Sequence, residues 1–194
     1  ELRALFHYCG DHEPFAHIDH LLRKTLGGAR GDTPATLLEE QATLLSDAFI
    51  ASAANALAAG SANDQKSAVA LARVRGLRST ARVRALAAAL LTKDGKPKAD
   101  SSLTTKAMCN ARPDIARELF DARDRFIVLE AKRHAAATAA ATLCLLRLAD
   151  AVIGRYDAAL VERSALDFDR LIAKTGDLLR HSSNAAWVLY RLDA

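Results

Sequence analysis

Five side chains able to bind a metal, His7, Cys9, His12, His17 and His20, fall within 14 residues, with Asp11 and Asp19 beside them. Zinc takes imidazole, thiolate and carboxylate ligands when their spacing lets all of them reach one tetrahedral centre. The spacing here fits no such pattern. His17 and His20 can share one helical face, and a surface helix carrying scattered histidines accounts for them without a metal. A small zinc protein using His17 and His20 is the rival reading, and the site list built from sequence contains no metal ligand.

A second pair of chemical groups is Asp167 and Asp169, on either side of Phe168 in "SALDFDRLIAKTGDLL", residues 164–179. Paired carboxylates can share a proton or a metal only if they face each other. On a helix, two residues apart means about 200° of rotation, so these two point to opposite sides. Ser164 followed three residues later by Asp167 instead has the form of a capping box, which satisfies the free N–H groups at a helix start. Behind it, Phe168, Leu171, Ile172, Leu178 and Leu179 recur at helical spacing and predict one buried face. The chain contains no GxxxxGK[ST], HExxH, GxSxG or GxGxxG, and its one Gly-Lys, Gly95-Lys96, precedes Pro97. We find no complete catalytic site. "RGD" at 30–32 is read as a coincidence of three residues.

The remaining chemistry is charge. The formal net charge is +4, but it is unevenly spread. Residues 1–64 carry 4 basic and 9 acidic side chains, residues 65–106 carry 10 and 2, and residues 107–194 carry 13 and 12. A basic middle attracts polyanions, with an attraction that weakens as salt rises. The residues read as phosphate contacts are Arg75, Arg78, Arg82, Lys93, Lys96, Lys98 and Lys106. Without aromatic neighbours they suit the backbone of DNA better than its bases. The other reading of this block is a solvated surface balanced by the acidic N-terminal third.

The elements that must position these groups are helical. Hydrophobic residues make up 51% and aromatics only 5%, alanine runs recur, and glycine and proline are sparse, so we predict an all-α fold. One helix is predicted from Thr33-Pro34 to Gly60, another over 62–75 ended by Gly76, and a third over 79–91. Residues 90–106 break the pattern with an Asp94-Gly95 turn signal and Pro97, predicting a loop or irregular hairpin that presents lysines. From Pro113 a helix runs without proline to Val161, and its apolar face thins to alanine over 135–142. Three widely spaced cysteines fit neither a disulfide framework nor a thiolate zinc site, which favours a reducing, cytoplasmic setting. The strongly apolar stretches, interrupted by Arg147 and Asp150, are read as too short for a membrane span. The start at Glu1 and the sole methionine at 108 lead us to expect a piece of a longer protein.

The segments "LLTKDGKPK" (90–98), "LTTKA" (103–107), "LLRLADAVIGRYDAAL" (145–160), "ALDFDRLIAKTGDLL" (165–179) and "AAWVLYRLD" (185–193) occur in this order. Together they resemble the helicase subunit of AddA-type double-strand break repair helicase-nucleases, relatives of UvrD. The resemblance covers roughly residues 90–194, and residues 1–89 match only in helical character. It implies an inserted helical 1B subdomain over 1–163 and a segment returning to the ATPase core over 164–194. In that family the phosphate loop lies upstream and the acidic magnesium-binding strand just downstream of this stretch. ATP and magnesium are thus implied for the parent protein, with no cofactor, unwinding or nuclease activity expected from this chain alone. The implied partners are DNA, the rest of the motor and an AddB-like subunit, with no membrane. Asp167, Phe168, Asp169 and Trp187 match the family motif in an architectural role. Where the family has a further aspartate this chain has Arg170, so nothing is carried over to that position.

Overall fold

In a computed structural model of the chain, residues 14–180 and 182–192 are described. The elements are α1 (Pro14–Thr25), α2 (Pro34–Ala42), α3 (Asp47–Ala58), α4 (Ala62–Ala72), α5 (Ser79–Leu90), α6 (Asp100–Leu103), α7 (Lys106–Ala111), α8 (Pro113–Glu162), α9 (Phe168–Arg180) and α10 (Ser182–Leu192). Among the described residues there is no strand, only an isolated bridge between Leu91 and Pro97. The fold is all-α, as the composition predicts. Two compact units divide the chain, residues 1–143 and 144–194. The division that the resemblance implies, at 163/164, falls just after the end of α8 at Glu162.

In the first unit, the apolar faces of α2 to α5 and the early turns of α8 close on one core. Leu45, Ile50, Leu57, Leu86, Leu90, Ile115, Leu119 and Phe126 are fully buried there. Each such side chain contributes roughly 1.5–3 kcal/mol by leaving water. Helix α2 starts at a capping box in which the Thr33 hydroxyl accepts from the Thr36 N–H, with Pro34 at its first turn.

The single helix predicted over 34–60 is two helices. At the break, the Thr43 hydroxyl donates back to the carbonyls of Glu39 and Glu40, and Ser46 caps α3 by accepting from the Phe49 N–H. Helix propensity alone runs smoothly through these residues. The turn is held by Arg82, which comes from 37 to 40 positions away in sequence to take the Ala42 and Leu45 carbonyls, both at 2.7 Å.

Gly60 ends α3 as predicted, and packing explains why it is glycine. A Cβ there would lie 2.7 Å from Asp64 Oδ2. Asp64 is buried and joins two helix starts: Oδ2 accepts from Ser61 N–H at 3.0 Å and Oγ at 2.8 Å, while Thr105 donates N–H to Oδ1 and hydroxyl to Oδ2, each at 2.8 Å. Burial pushes this carboxyl's pKa up, and the hydrogen bonds from Thr105 and Ser61 push it down further, leaving it below the ordinary value.

Helix α8 is one uninterrupted helix of 50 residues, as its lack of proline predicts. Its buried positions in the first unit end at Ala139. An 18-residue window within it has mean hydropathy 1.6 and is 11% buried, so by length and composition it could cross a bilayer. The reading that its apolar stretches are too short is corrected on that count, because small alanines raise the average without adding large side chains. Core helices of water-soluble proteins meet the same test, and Arg147 and Asp150 would each cost about 2.5–3.5 kcal/mol at a bilayer centre.

In the second unit α8 ends in a Schellman motif: the Ser164 N–H reaches the Val161 carbonyl at 3.0 Å and the Ala165 N–H reaches the Leu160 carbonyl at 2.9 Å. Ser164 takes the left-handed conformation there, with φ 50°. Helix α9 then begins at Asp167, whose Oδ1 accepts the Arg170 N–H at 2.7 Å. The predicted capping box is therefore corrected. Ser164 closes one helix and Asp167 alone opens the next.

Candidate nucleic-acid interface

The basic middle is carried on α4, α5 and the hairpin that follows α5. The hairpin forms because Asp94-Gly95 turns the chain with Gly95 at φ 74°, a conformation that glycine adopts without steric cost. Thr92 N–H bonds the Lys96 carbonyl at 2.8 Å, and Lys98 N–H bonds the Leu90 carbonyl at 3.1 Å. The predicted irregular hairpin is thus present, with Lys93 and Lys96 exposed near its tip.

Two of the seven predicted phosphate contacts have other roles. Arg82 is only 8% exposed, and its guanidinium holds the Ala42 and Leu45 carbonyls and Asp47 Oδ1 at 2.6 Å. Further contacts run to the carbonyls of Val74 and Leu77, each at 3.5 Å, so most of the guanidinium's donors are already taken. Lys98 donates from Nζ to the carbonyls of Ala88 and Ala89, each at 2.8 Å, and so caps the end of α5. Burial lowers its pKa below the usual lysine range. These assignments correct the sequence reading: an arginine or lysine in a basic run is not thereby a surface charge.

The other five, Arg75, Arg78, Lys93, Lys96 and Lys106, are exposed. They do not form one cluster. Arg75 and Arg78 sit before α5 and Lys93 and Lys96 after it, and its 12 residues separate the two groups by about 18 Å at ~1.5 Å per residue. Arg78 also borders a cleft of about 630 Å³ that Glu39 and Asp47 line as well, so acids weaken the positive field on that side. The hairpin tip has only Asp94 as an acidic neighbour in sequence.

Sequence reasoning missed Arg123 of α8. Its Nη1 donates to the Lys98 carbonyl at 2.7 Å and to Asp100 Oδ1 at 2.6 Å, while Nε reaches Asp124. It fixes the base of the hairpin to the long helix. No local pattern marks this bracing role, because the two hairpin groups it holds lie 23 to 25 positions away.

The remaining candidates separate cleanly. Asp167 is a helix cap and Asp169 is exposed, so no carboxylate pair exists. Phe168 is 78% exposed and Trp187 65%, so the face predicted to be buried behind Asp167 is open at Phe168. Arg170, the departure from the family pattern, pairs with Asp157 of α8 at 2.5 Å and ties α9 to it. His17 and His20 are exposed on α1, whereas His7, Cys9, Asp11 and His12 lie outside the described residues. Among the described residues no three potential ligands come together as a metal site. No protein-family model, no curated protein and no solved structure matches the chain.

Proposed function

We propose that this chain is an accessory subdomain of an ATP-dependent DNA helicase-nuclease of double-strand break repair. In this reading it contacts the DNA backbone without reading sequence, and ATP, magnesium and an AddB-like subunit belong to the parent assembly. The observation that carries the proposal is the hairpin. Lys93 and Lys96 project from a turn whose base is fixed by Lys98 and Arg123, so two free cations stand on a braced support. Loops held by a rigid scaffold are a common place for contacts, and lysine binds phosphate as a point charge. The ordered segments over 90–193 supply the family reading. The test is anisotropy of labelled duplex, forked and single-stranded DNA with the full chain across a salt series. Binding that weakens with salt is expected. A folded chain that binds no DNA at low salt would remove the DNA role.

A second reading, a helical module for protein contacts, draws on the exposed apolar residues of 144–194, Phe168, Trp187 and Tyr190 among them. In the helicase reading the rest of the motor covers that surface. The two readings part on DNA affinity, which the interaction module lacks.

A further inference from the structure

A pocket of about 320 Å³ lies in the first unit where α1 ends and the chain turns through residues 27–32. This is at the low end of the range for small-molecule pockets, about 300–1,000 Å³. His20, Arg23, Lys24 and Arg30 line it, and among the described residues Asp19 is the one acid in its lining. Arg23 is already set in place. Its Nε donates to both oxygens of Asp19, at 3.0 and 2.9 Å, and its Nη1 donates to the Asp32 carbonyl at 2.5 Å. Its side chain is 18% exposed, and Nη2 makes none of these bonds.

Asp19 offsets the charge of Arg23, and Lys24 and Arg30 add two further cations to the pocket wall. Lysines and arginines at a helix C-terminus often serve only to satisfy its last carbonyls. Here backbone groups do that: the Leu26 N–H takes the Leu22 carbonyl and the Gly28 N–H takes the Arg23 carbonyl. An oriented guanidinium, an ammonium and a second guanidinium around one small cavity match a tetrahedral oxyanion, and a ring N–H of His20 adds a further donor.

We propose that this pocket is a phosphate-binding site. Its ligand is either a free phosphate or phosphate monoester, or a phosphate of the DNA backbone. The proposal stands apart from the DNA reading of the hairpin.

The test follows the histidine ring and arginine Nε–H signals of the full chain by NMR as inorganic phosphate is added, with ionic strength held constant by chloride. Saturable shifts of His20 and Arg23 are expected, and Lys24→Ala with Arg30→Ala should weaken affinity about tenfold or more, as loss of a charged hydrogen bond does. Both side chains are exposed, circular dichroism checks the fold, and Lys24→Arg should retain binding. Shifts that grow without saturating, or that are equal in the double variant, would overturn the site. A short duplex that displaces the phosphate assigns the pocket to the DNA backbone. A duplex that binds the chain and leaves the phosphate in place assigns it to a free phosphate or monoester. A duplex that does not bind at all sinks the DNA reading and leaves the phosphate result intact.

Discussion

Residues 14–143 close a core around large apolar side chains such as Leu45, Ile50, Leu86 and Phe126, and the buried Arg82 and Asp64 bond to backbone and side-chain groups at the helix ends. In residues 144–192 the reverse holds: Leu145, Leu148, Val152, Phe168, Ile172, Trp187 and Tyr190 are all exposed. The same amphipathic spacing that closes a core in the first unit yields an open apolar face in the second. Periodicity therefore specifies which side of a helix is apolar, and a neighbour decides whether that side is buried. Exposed large apolar side chains in this number are a feature of interaction surfaces in general, and the proposed function assigns this one to contacts with the rest of the motor.

The largest effect that would sharpen this contrast is expected at Arg82. Arg82→Ala strands the carbonyls of Ala42 and Leu45 inside the first unit and should cost about 2–6 kcal/mol in urea unfolding, at about 1–3 kcal/mol for each buried acceptor left without a donor. A loss near zero would mean that the turn between α2 and α3 needs no clamp.

Asp64 should come next. Asp64→Ala removes the acceptor for Ser61 and Thr105 and should destabilise by about 1–3 kcal/mol. Because its folded pKa lies below its unfolded value of 3.8, the stabilisation from its ionised form is present above pH 3.8 and lost as pH falls through the lower, folded value. Acid unfolding of the wild type should steepen there, and in Asp64→Ala that component should be missing.

In the second unit the sign of expectation changes. Phe168→Ser with Trp187→Ser should alter stability by less than about 0.5 kcal/mol, as for other exposed positions, while reducing binding of a hydrophobic dye. A large destabilisation would show that these rings are buried in solution and erase the contrast between the units. A small gain is expected at the end of α8: Ser164→Gly should stabilise by roughly a few tenths of a kcal/mol, because glycine takes the left-handed position without the strain a Cβ brings, an advantage its greater freedom in the unfolded chain partly offsets. Thermal unfolding would read it.

Much of the fold was legible because its signals are local. Thr33-Pro34, Gly60, Asp94-Gly95 and the proline-free run after Pro113 each act through their own few residues, and each marks an element end or turn that the structure contains. The break at 43–46 was not legible, since a distant arginine stabilises it. The candidate site failed for the same reason at Arg82 and Lys98: whether a cation meets solvent or a carbonyl is decided by packing between helices. The apolar stripe of α9 was read correctly as a stripe and wrongly as buried, because sequence spacing does not name the partner.

In the proposed function Lys93 and Lys96 are available to phosphate, while Lys98 holds the end of α5. The most direct measurement is the salt dependence of duplex binding for the wild type, for Lys93→Ala with Lys96→Ala, and for Lys98→Met. The double variant is expected to flatten the slope of log K against log salt by about 1.8, two phosphate contacts at ~0.9 each, while Lys98→Met keeps the wild-type slope and loses thermal stability. An unchanged slope in the double variant, or an equal loss in Lys98→Met, would contradict this assignment.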